Sequence, residues 1–495
     1  MAHPHRFVGP RPDLPRVVAP GVRAVVIGGG IAGVTAALLL AERGVAVTLL
    51  ERDAQLGGRL AAWPRTLPDG SRQLVEHGFH GFFRQYYNWQ NVLRRIDPDL
   101  SFLRSAGRYP VISRHWPEEH FSRLPKRPPA NLLALVARSP SLRLRELRDV
   151  DGAAALPLLS YSRADTYRLF DDISAKDFLD TLGMPARARA TLFDVFAHSF
   201  FNHEEDLSAA EMIMQFHFYF LRNPEGLDFD APGQDYETAI WSPLARQLEA
   251  LGVDIRTHAA VDHLEPGWTV VLKGGARLRA DHVVLAADPG SAREIVAASP
   301  ELPRLAPVLT QQMATVRTTA PYAVSRLWTD RDCRPERSIF TSVSQEPTLD
   351  SVTLYHRIEA ASGQWARRTG GSVIELHAYA APDGIDATDL TKRMWSELGA
   401  LWPETTQMSI LDVAERVGRD APAFGLGSDA TRPGVRTDAA GLVLAGDWVR
   451  MPFPSALMER AAGSAALAAN AVLERHGVSP ASVFSVAPRG LLARR

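Results

Sequence analysis

The glycine-rich segment GGGIAG, residues 28–33, constrains the fold of this chain more than any other feature. It follows the apolar run 22–27, which predicts a buried strand, and it opens the Ala- and Leu-rich segment 31–43, which predicts a helix. The apolar run 45–50 predicts a second buried strand. Strand, glycine-rich turn, helix and strand within about 30 residues form the first unit of a doubly wound parallel sheet.

The same unit is typical of dinucleotide binding. Gly28 allows a tight turn, Gly30 lets the backbone approach a pyrophosphate, and Gly33 lets the helix pack closely against the strand. Free N–H groups at the helix N-terminus favour the negative phosphates, and Glu51 is placed to accept hydrogen bonds from ribose hydroxyls. The predicted contacts of this part of the cofactor site are Gly28, Gly30, Ile31, Ala32, Gly33, Glu51 and Arg52.

A second glycine-containing loop favours FAD over NAD. Gly57, Gly58 and Arg59 follow Glu51 closely, and their amides and guanidinium group can reach the same pyrophosphate. Enzymes that bind only NAD do not need this second clamp. We therefore expect FAD as the cofactor.

A third segment, near the C-terminus, supports the same cofactor. Gly446 and Asp447 follow the apolar run 441–445, so that Asp447 can accept a hydrogen bond from a ribityl hydroxyl. A long Ala-rich helix is predicted over 455–474. Its N-terminus, with Ser455 and Met458, is expected to point at the flavin ring and to stabilise negative charge there.

The composition excludes several other classes of protein. A single cysteine, Cys333, permits no disulfide framework and no cysteine-rich metal or iron–sulfur site. The formal net charge of −1 provides no basic field for nucleic acid, and no histidine pair with flanking carboxylates has metal-ligand spacing. No run of about 18 apolar residues is present, so we expect a cytoplasmic protein that is soluble or peripheral on the membrane.

The order of predicted strands and helices indicates an α/β fold in which one domain is assembled from separated pieces of chain. We expect a Rossmann-type FAD-binding domain with an inserted α+β substrate-binding domain. The inserted part contains a proline cluster at 125–129 and amphipathic stretches at 170–182, 187–201 and 207–221. The predicted organisation is an irregular arm over 1–20, an FAD-binding domain over 21–105, 245–300 and 431–475, a substrate-binding domain over 106–244 and 301–430, and a C-terminal tail over 476–495.

Together these motifs resemble the flavin amine oxidase and carotenoid desaturase superfamily over nearly the whole chain. The resemblance implies that Val261 occupies the position at which the backbone of a valine contacts adenine in that superfamily. The segment EHGFHGFFRQYYN, 76–88, is similar to a signature of plant-type phytoene and ζ-carotene desaturases, and PSALME, 454–459, is similar to their C-terminal flavin-contact motif. Arg460 departs from this pattern, because many of those desaturases have glycine there.

The segment 76–88, with AHSFF (197–201), the run 216–230 and APRGLLAR (487–494), most closely resembles the isorenieratene synthases, a family of β-carotene desaturase/methyltransferases. The resemblance implies an apolar carotenoid substrate whose β-ionone end ring is aromatised, with a 1,2-methyl shift, by hydride transfer to the flavin. No second dinucleotide motif for NAD(P)H is present, so an external electron acceptor, a quinone or oxygen, is expected. A peripheral membrane contact through an apolar patch of the substrate-binding domain is expected as well.

Within the segment 76–88 we hypothesise that His80 or Glu76 is the base and that Arg84 orients the substrate. Aromatic residues of the kind found here can line an apolar tunnel and tolerate developing positive charge. A simpler interpretation stays open, in which the aromatics are core residues and the histidines are structural. The stretch 212–221 is interpreted as a buried core helix rather than a membrane dip. The predicted substrate contacts are Phe82, Phe83, Tyr86, Phe216 and Phe218.

Several alternative functions stay open. A desaturase acting on the linear part of a carotenoid, or a carotenoid isomerase, would have the same flavin motifs. An amine oxidase usually places a lysine near the flavin, whereas Lys273 falls in a predicted hairpin of the nucleotide-binding domain and Lys126 in a proline-rich loop. A non-catalytic flavin or carotenoid carrier would not need three intact cofactor motifs.

Overall fold

The computed structural model describes residues 4–107, 109–120, 140, 150–223 and 226–493. The proline cluster at 125–129 and Lys126 lie outside the described residues, as do Glu225 and Arg494 of the segments that carry the family resemblance. The strands are β1 (His5–Val8), β2 (Arg23–Ile27), β3 (Ala46–Leu50), β4 (Ala62–Thr66), β5 (Arg72–Glu76), β6 (Phe82–Phe83), β7 (Leu103–Ser105), β8 (Pro110–Ile112), β9 (Glu119–His120), β10 (Phe229–Pro232), β11 (Asp254–Arg256), β12 (Val261–Glu265), β13 (Thr269–Leu272), β14 (Arg277–Arg279), β15 (His282–Leu285), β16 (Tyr322–Thr329), β17 (Phe340–Val343), β18 (Ser351–Leu354), β19 (Val373–Ala378), β20 (Ile410–Gly418), β21 (Leu442–Leu444) and β22 (Val483–Ser485). The helices are α1 (Ile31–Ala41), α2 (Tyr87–Leu93), α3 (Leu156–Leu159), α4 (Arg163–Phe170), α5 (Ala175–Thr181), α6 (Ala186–Arg189), α7 (Val195–Ser199), α8 (Ala209–Phe216), α9 (Ser242–Ala250), α10 (Pro289–Ala298), α11 (Leu302–Leu305), α12 (Pro307–Thr315), α13 (Ala360–Thr369), α14 (Ala387–Leu401), α15 (Ser428–Thr431) and α16 (Leu457–Arg475).

A five-stranded parallel sheet, in the order β11-β3-β2-β15-β21, holds the nucleotide-binding motifs. Strands β2, β15 and β21 are buried nearly throughout, as expected for a parallel sheet that is covered on both faces. Helix α1 is buried along its whole length and packs against both this sheet and α16, because its Ala and Leu residues leave no polar face. The predicted strand–helix–strand unit and the α/β fold are confirmed.

A second sheet, in the order β20-β16-β19-β18-β17-β8-β9, forms the other large element of the fold. Its neighbouring strands are antiparallel except for the parallel pair β17 and β8. Leu327, Ile374 and Leu376 pack on one face with the buried side of α14. Because side chains alternate along a strand, the opposite face of β16 and β19 carries polar groups, and this face lies towards the cavity described below.

The helical stretches predicted over 170–182 and 187–201 are more interrupted than expected. Ser174 separates α4 from α5, because its hydroxyl caps the N-terminus of α5 by accepting a hydrogen bond from Asp177 N at 2.9 Å. The stretch 207–221 contains α8 and a π-helical segment, His217–Leu221. Its residues 212–221 are buried apart from the half-buried Phe216, which confirms the prediction of a core helix. Among the described residues, no helix is both long and apolar enough to cross a bilayer.

The two ends of the chain form a small sheet, so the prediction of an irregular arm and tail was wrong in part. Strand β1 pairs antiparallel with β22. Asn88 ties this sheet to α2, since its side chain donates to Phe484 O at 2.7 Å and accepts from Phe484 N at 2.9 Å. A four-residue strand is stable only with its partner, and that partner lies at the far end of the chain.

The predicted hairpin around Lys273 is confirmed, because β13 and β14 pair antiparallel on either side of the turn 273–276. Helices α11 and α12 fall within the part predicted to bind substrate, 301–430. Helix α12 packs against α10, and Leu309 and Met313 of α12 share an apolar core with Ile295 and Val296 of α10. The boundary at residue 300 stays a prediction.

Candidate active site

A cavity of about 490 Å³ lies between the carboxyl ends of the parallel sheet and one face of the seven-stranded sheet. One half, which we call the nucleotide half, is lined by residues that follow β2, β3, β15 and β21. Ligands of open α/β sheets bind at this edge. The other half, which we call the aromatic half, is lined by aromatic side chains from the seven-stranded sheet, from β6 and β10, and from the helical region.

The first glycine loop leaves no room for side chains except where a ligand would lie. A Cβ on Gly28, whose φ is +107°, would lie 2.7 Å from Ala286 O, and one on Gly33 would lie 1.7 Å from Gly28 O. At Gly30 the nearest atom would be 3.8 Å away. Helix α1 begins here without a side-chain cap, so its first N–H groups, beside Ile31 and Ala32 at the cavity wall, are available to an anion.

Glu51 supports this loop from the end of β3. Its carboxylate accepts hydrogen bonds from Gly29 N at 2.7 Å and from Asp53 N at 2.8 Å, and it lines the cavity. Burial raises the pKa of Glu51, and the two hydrogen bonds oppose this rise. Arg52 donates to Ser291 Oγ at 2.7 Å and also lines the cavity. Both side chains stand at the nucleotide half, and their contact with a ribose stays a prediction.

The second glycine loop lies beside the first and meets the third motif. Gly57 N donates to Gly29 O at 2.9 Å, and Gly57, Gly58 and Arg59 all line the cavity. Arg59 Nη2 forms an ion pair with Asp447 Oδ1 at 2.7 Å. Burial alone would lower the pKa of Arg59, but the attraction of Asp447 outweighs burial and raises it. The second and third motifs, which are far apart in the sequence, are thus joined by an ion pair at one wall of the cavity.

The third motif is brought to the same half of the cavity. Gly446, Asp447 and Met458 line it, as does Val261. The helix predicted from Ser455 begins two residues later, at Leu457, and it has no side-chain cap. Ser455 itself is buried, is not part of the lining, and has a hydroxyl without a hydrogen-bond partner among the residues that the structure describes. The N–H groups of α16, rather than the Ser455 side chain, are therefore offered to the cavity.

The groups of the nucleotide half fit a flavin adenine dinucleotide. The uncapped N-terminus of α1 and the open backbone at Gly30 and Gly58 suit a pyrophosphate, and the uncapped N-terminus of α16 suits the flavin ring. Two carboxylates, on Glu51 and Asp447, suit hydroxyl groups. The residues that would hold the cofactor are those predicted from the sequence, except Ser455: Gly28, Gly30, Ile31, Ala32, Gly33, Glu51, Arg52, Gly57, Gly58, Arg59, Val261, Gly446, Asp447 and Met458, of which Gly33 acts by close packing.

The aromatic half is closely packed, and two of its tyrosine hydroxyl groups pair with each other. The rings of Phe83 and Tyr219 lie 5.0 Å apart between centroids, and the hydroxyls of Tyr86 and Tyr219 share a hydrogen bond of 2.8 Å. The aromatic residues that line this half are Phe79, Phe83, Tyr86, Tyr109, Phe200, Phe201, Tyr219, Phe229, Tyr322, Phe340 and Tyr379.

Phe83 and Tyr86 line the cavity as predicted, whereas Phe82, Phe216 and Phe218 do not. Phe82 precedes Phe83 on β6 and points to the opposite side, where it is 1% exposed. Phe218 stacks behind Tyr86, with centroids 6.4 Å apart, and Phe216 stacks on a neighbouring phenylalanine of its own helix. These positions do not support the predicted direct contact of the three residues with a substrate.

His80 is the predicted catalytic residue that faces the cavity. Its Nδ1 lies 2.8 Å from Gly78 O. Because a carbonyl oxygen only accepts, Nδ1 carries the proton and Nε2 keeps its lone pair. Burial lowers the pKa of His80 to about 4, so the imidazole is neutral at neutral pH. A neutral imidazole in a fixed tautomer is suited to accept a proton.

Glu76 and Arg84 lie outside the cavity lining. Glu76 is buried and forms an ion pair with Arg326. Burial raises the pKa of Glu76 although Arg326 favours the charged form. Arg84 is 42% exposed and pairs with Asp230 at 2.7 Å. Their contacts indicate structural roles and do not support the predicted catalytic ones.

Sequence reasoning missed polar groups that the second sheet brings to the cavity. His77 Nε2 lies 2.9 Å from Tyr322 OH, which donates to Asp420 Oδ1 at 2.7 Å. His377 of β19 bonds to Glu375 at 2.7 Å, and both histidines line the cavity. A signal was present in the segment VIELHA, 373–378, since charged residues at alternate positions of an apolar strand indicate a polar buried face.

Known proteins are similar to this chain in sequence and in fold. The family described as flavin containing amine oxidoreductase matches residues 31–473. A carotenoid phi-ring synthase of Streptomyces griseus is 43% identical, over 99% of this chain and 93% of that protein, and one of Chlorobaculum tepidum is 29% identical, over 95% and 91%. The structure of a putrescine oxidase bound to putrescine superposes with a TM-score of 0.65 at 16% identity, over 92% of this chain and 100% of that chain. The chain belongs to the flavin containing amine oxidoreductase family and is an FAD-dependent oxidoreductase.

Proposed function

We propose that this protein is a carotenoid end-ring desaturase that aromatises the β-ionone ring of β-carotene with a 1,2-methyl shift. The observation that carries the proposal is the continuity of the cavity, whose aromatic half opens directly onto the nucleotide half. A long apolar substrate can therefore bring one end to the cofactor. The relative with 43% identity supports a ring as the site of reaction, because its name refers to a carotenoid ring.

The chemistry of the substrate sets what the site must do. A β-ionone ring has no acidic proton and no group open to nucleophilic attack, so a C–H bond must be broken by removal of hydride. Bound FAD supplies the hydride acceptor. Loss of hydride beside the carbon that bears two methyl groups leaves a cation, and one methyl group migrates to it with its electron pair. Loss of a proton then forms a double bond.

The aromatic half suits a substrate that passes through a cation. Faces of Phe and Tyr rings attract positive charge, and Phe79, Phe83 and Phe229 line this half. Since the Tyr86 and Tyr219 hydroxyls bond to each other, their oxygens are less available to attack the cation. The packed rings also exclude water, which would otherwise capture it.

We assign acceptance of a proton to His80. Its Nε2 has a lone pair and faces the cavity, whereas Glu76, the other candidate, is engaged by Arg326 behind the lining. Tyr236 fixes the backbone on which His80 stands, because its hydroxyl accepts from His80 N at 3.0 Å and donates to Gly78 O at 3.2 Å. The base is thereby held in one orientation before the substrate binds.

We also propose that the electrons leave to an external quinone or oxygen. The sequence contains a single dinucleotide motif with the G-x-G-x-x-G spacing at the first strand, residues 28–33, and FAD accounts for it. A substrate that dissolves in lipid further supports a peripheral contact of the protein with the membrane.

The test is expression in a host that makes β-carotene, followed by absorption and mass analysis of the pigments. We expect a carotenoid lighter by four hydrogens for each converted ring, with a trimethylphenyl end group. If β-carotene stays unchanged while the purified protein is yellow and holds FAD, ring aromatisation is rejected. Phytoene and ζ-carotene would then be supplied, to distinguish linear desaturation from isomerisation.

A further inference from the structure

Strand β19 presents a second imidazole at the cavity wall. Ile374 and Leu376 pack into the apolar core beside α14, and Glu375 and His377 project from the opposite face, because successive side chains of a strand alternate. His377 lines the cavity, and Glu375 lies behind it with no exposed surface. The proton acceptor proposed above, His80, does not involve this pair.

Glu375 is oriented by hydrogen bonds from three directions. Oε2 accepts from Arg326 Nε at 2.9 Å and from Arg326 Nη2 at 2.6 Å. Oε1 accepts from Phe79 N at 2.6 Å and from His377 Nε2 at 2.7 Å. Burial alone would raise the pKa of Glu375, but Arg326 and His377 lower it to about 2. Because an ionised carboxylate only accepts, His377 Nε2 carries the proton.

The other ring nitrogen of His377, Nδ1, has no hydrogen bond to any group in the part of the chain that the structure describes. The neutral ring therefore has its lone pair on Nδ1, the opposite tautomer to that of His80, whose proton is on Nδ1. The two imidazoles flank one peptide. His80 Nδ1 binds Gly78 O at 2.8 Å, and a Cβ on Gly78 would lie 3.0 Å from His377 Cε1.

The stoichiometry of aromatisation gives a reason for two acceptors. Converting one ring removes four hydrogens, as two hydrides and two protons. Bound FAD would take one hydride at a time and be reoxidised by the external acceptor before the second, and each of the two protons is accepted by the chain. A neutral imidazole has a single free lone pair, so one that has taken the first proton cannot take the second until it has released the first.

We propose that His377 is a second proton acceptor of this cavity and that Glu375 is its positioning residue, an inference that rests on the proposed function. In each of two oxidations, one C–H bond breaks with its electron pair leaving as hydride. A second C–H bond then breaks, its electron pair forms the C=C bond, and its proton binds an imidazole lone pair. His80 takes one proton and His377 takes the other. The four electrons leave in the end to the external quinone or oxygen.

The variant His377→Gln separates basicity from structure. The glutamine amide can donate to Glu375 as Nε2–H does, but its oxygen is not basic. We expect ring conversion to fall by about 100-fold or more with unchanged FAD content, and a ring that has lost two hydrogens to accumulate. The matched control is His356→Gln, since His356 Nε2 bonds to Asp332 at 2.8 Å outside the cavity, and we expect it to convert rings like the wild type.

A second readout does not depend on turnover. Nitrogen-15 NMR of the histidine-labelled, FAD-loaded protein is expected to show His377 protonated on Nε2 and not on Nδ1, and Glu375→Gln is expected to remove that preference. Full ring conversion by His377→Gln, or a proton on Nδ1 in the resting wild type, would overturn the inference and leave the proposed function standing. A wild-type protein that holds FAD and converts no ring would reject the proposed function and this inference with it.

Discussion

At the scale of single residues, the site is defined by which nitrogen of each histidine holds the proton. In His80 a carbonyl oxygen keeps the proton on Nδ1, and in His377 a carboxylate keeps it on Nε2. Both rings line the cavity, and in each the second nitrogen has no hydrogen bond to any group among the described residues. Orientation by a hydrogen bond from behind is a general way to prepare a histidine for proton transfer.

The pH dependence of the reaction reports on His80. Since burial lowers the pKa of His80 to about 4, the neutral, proton-accepting form is fully populated above that value and is lost only as the pH falls through it. We expect kcat/KM for the first oxidation by the His377→Gln variant, which lacks the other imidazole, to be flat between about pH 5.5 and 8, whereas an unperturbed histidine would lose half of its basic form near pH 6.5. A fall in kcat/KM centred near pH 6.5 would contradict the assignment.

The variant His80→Gln tests the same residue directly. Its amide can still donate to Gly78 O, but it has no basic nitrogen, so we expect ring conversion to fall by about 100-fold or more while flavin content and thermal stability stay as in the wild type. The measurement is carotenoid conversion by the purified protein, with the flavin spectrum as control for folding. Unimpaired conversion would remove His80 from the mechanism.

The nucleotide half could be predicted residue by residue because its signal is local. Gly28, Gly30 and Gly33 are contiguous with the strand and helix that they join, and each glycine is needed for a stated reason. For the aromatic half, the sequence predicted the types of residue but not which of them line the cavity. Whether Phe82 or Phe83 faces the substrate depends on which side of β6 the core lies, and His377 comes from a strand that is remote in sequence.

At the scale of elements, the contact between β2 and α1 distinguishes glycines that fold the chain from glycines that admit a ligand. A Cβ on Gly33 would collide with Gly28 O, but one on Gly30 would have its nearest neighbour 3.8 Å away, and the φ of Gly30 is −80°, which alanine adopts readily. Gly33 is required by the close packing of α1 against β2, whereas Gly30 leaves space for a ligand in the cavity.

This distinction predicts different behaviour for two alanine variants. We expect Gly33→Ala to lose about 3 kcal/mol or more of stability, because backbone must move to relieve the collision. We expect Gly30→Ala to fold with the stability of the wild-type apoprotein and to bind FAD at least about tenfold more weakly, because the methyl group occupies the approach to the phosphates. Urea unfolding of the apoproteins and flavin titration measure the two effects, and normal FAD affinity in Gly30→Ala would contradict the second.

Helices α8 and α16 are joined by a buried ion pair at the position where the sequence departs from related desaturases. Arg460 pairs with Glu211, donates to Ser455 O at 2.9 Å, and lies over the ring of Phe424. Glu211 also accepts from Tyr167 OH at 2.5 Å. The arginine that replaces a common glycine is therefore part of a network that sequence comparison of the motif alone does not reveal.

Removing one partner of the Arg460–Glu211 ion pair is expected to lower the stability of the protein. Arg460→Met would leave Glu211 buried without its cation and lower the free energy of unfolding by about 3–5 kcal/mol. The double variant Arg460→Met with Glu211→Gln is expected to recover most of that loss, because the uncompensated charge is gone. Urea unfolding measures both, with Arg168→Met as control for an exposed pair, which we expect to leave stability unchanged. A single variant as stable as the wild type would contradict the prediction.

At the scale of the whole molecule, the class of the fold could be predicted, but the pairing of the two terminal strands could not. The parallel sheet assembles pieces whose strands each have a local apolar signal, so β2, β3, β15 and β21 were recognisable. The pairing of β1 with β22 joins the two ends of the chain, and no local pattern in either short strand indicates its partner. Long-range pairing of this kind is determined by the packing of the elements between them.

The surface of the helical region offers a route for a substrate that dissolves in lipid. Leu156 on α3 is 48% exposed, Leu169 on α4 is 51% exposed, and Leu492 is 56% exposed. Leu492 lies beside α3, since its N–H donates to Leu159 O at 3.0 Å. Ile173, which follows α4, is 37% exposed. We propose that these exposed side chains form an apolar patch on the helical region, which also supplies Phe200, Phe201 and Tyr219 to the aromatic half of the cavity.

We expect this patch to bind membranes and to be sensitive to loss of its leucines. A fully buried leucine side chain contributes about 1.5–3 kcal/mol, so Leu169→Gln with Leu492→Gln is expected to weaken binding to phosphatidylcholine–phosphatidylglycerol vesicles by about 100-fold. Vesicle sedimentation measures this, with Leu411→Gln as the matched control, because Leu411 is 49% exposed on the edge strand β20. Flavin content should be equal in all three proteins. If the double variant sediments with vesicles like the wild type, or if the wild type does not sediment, this patch is not the membrane contact, and the substrate must reach the cavity by another face.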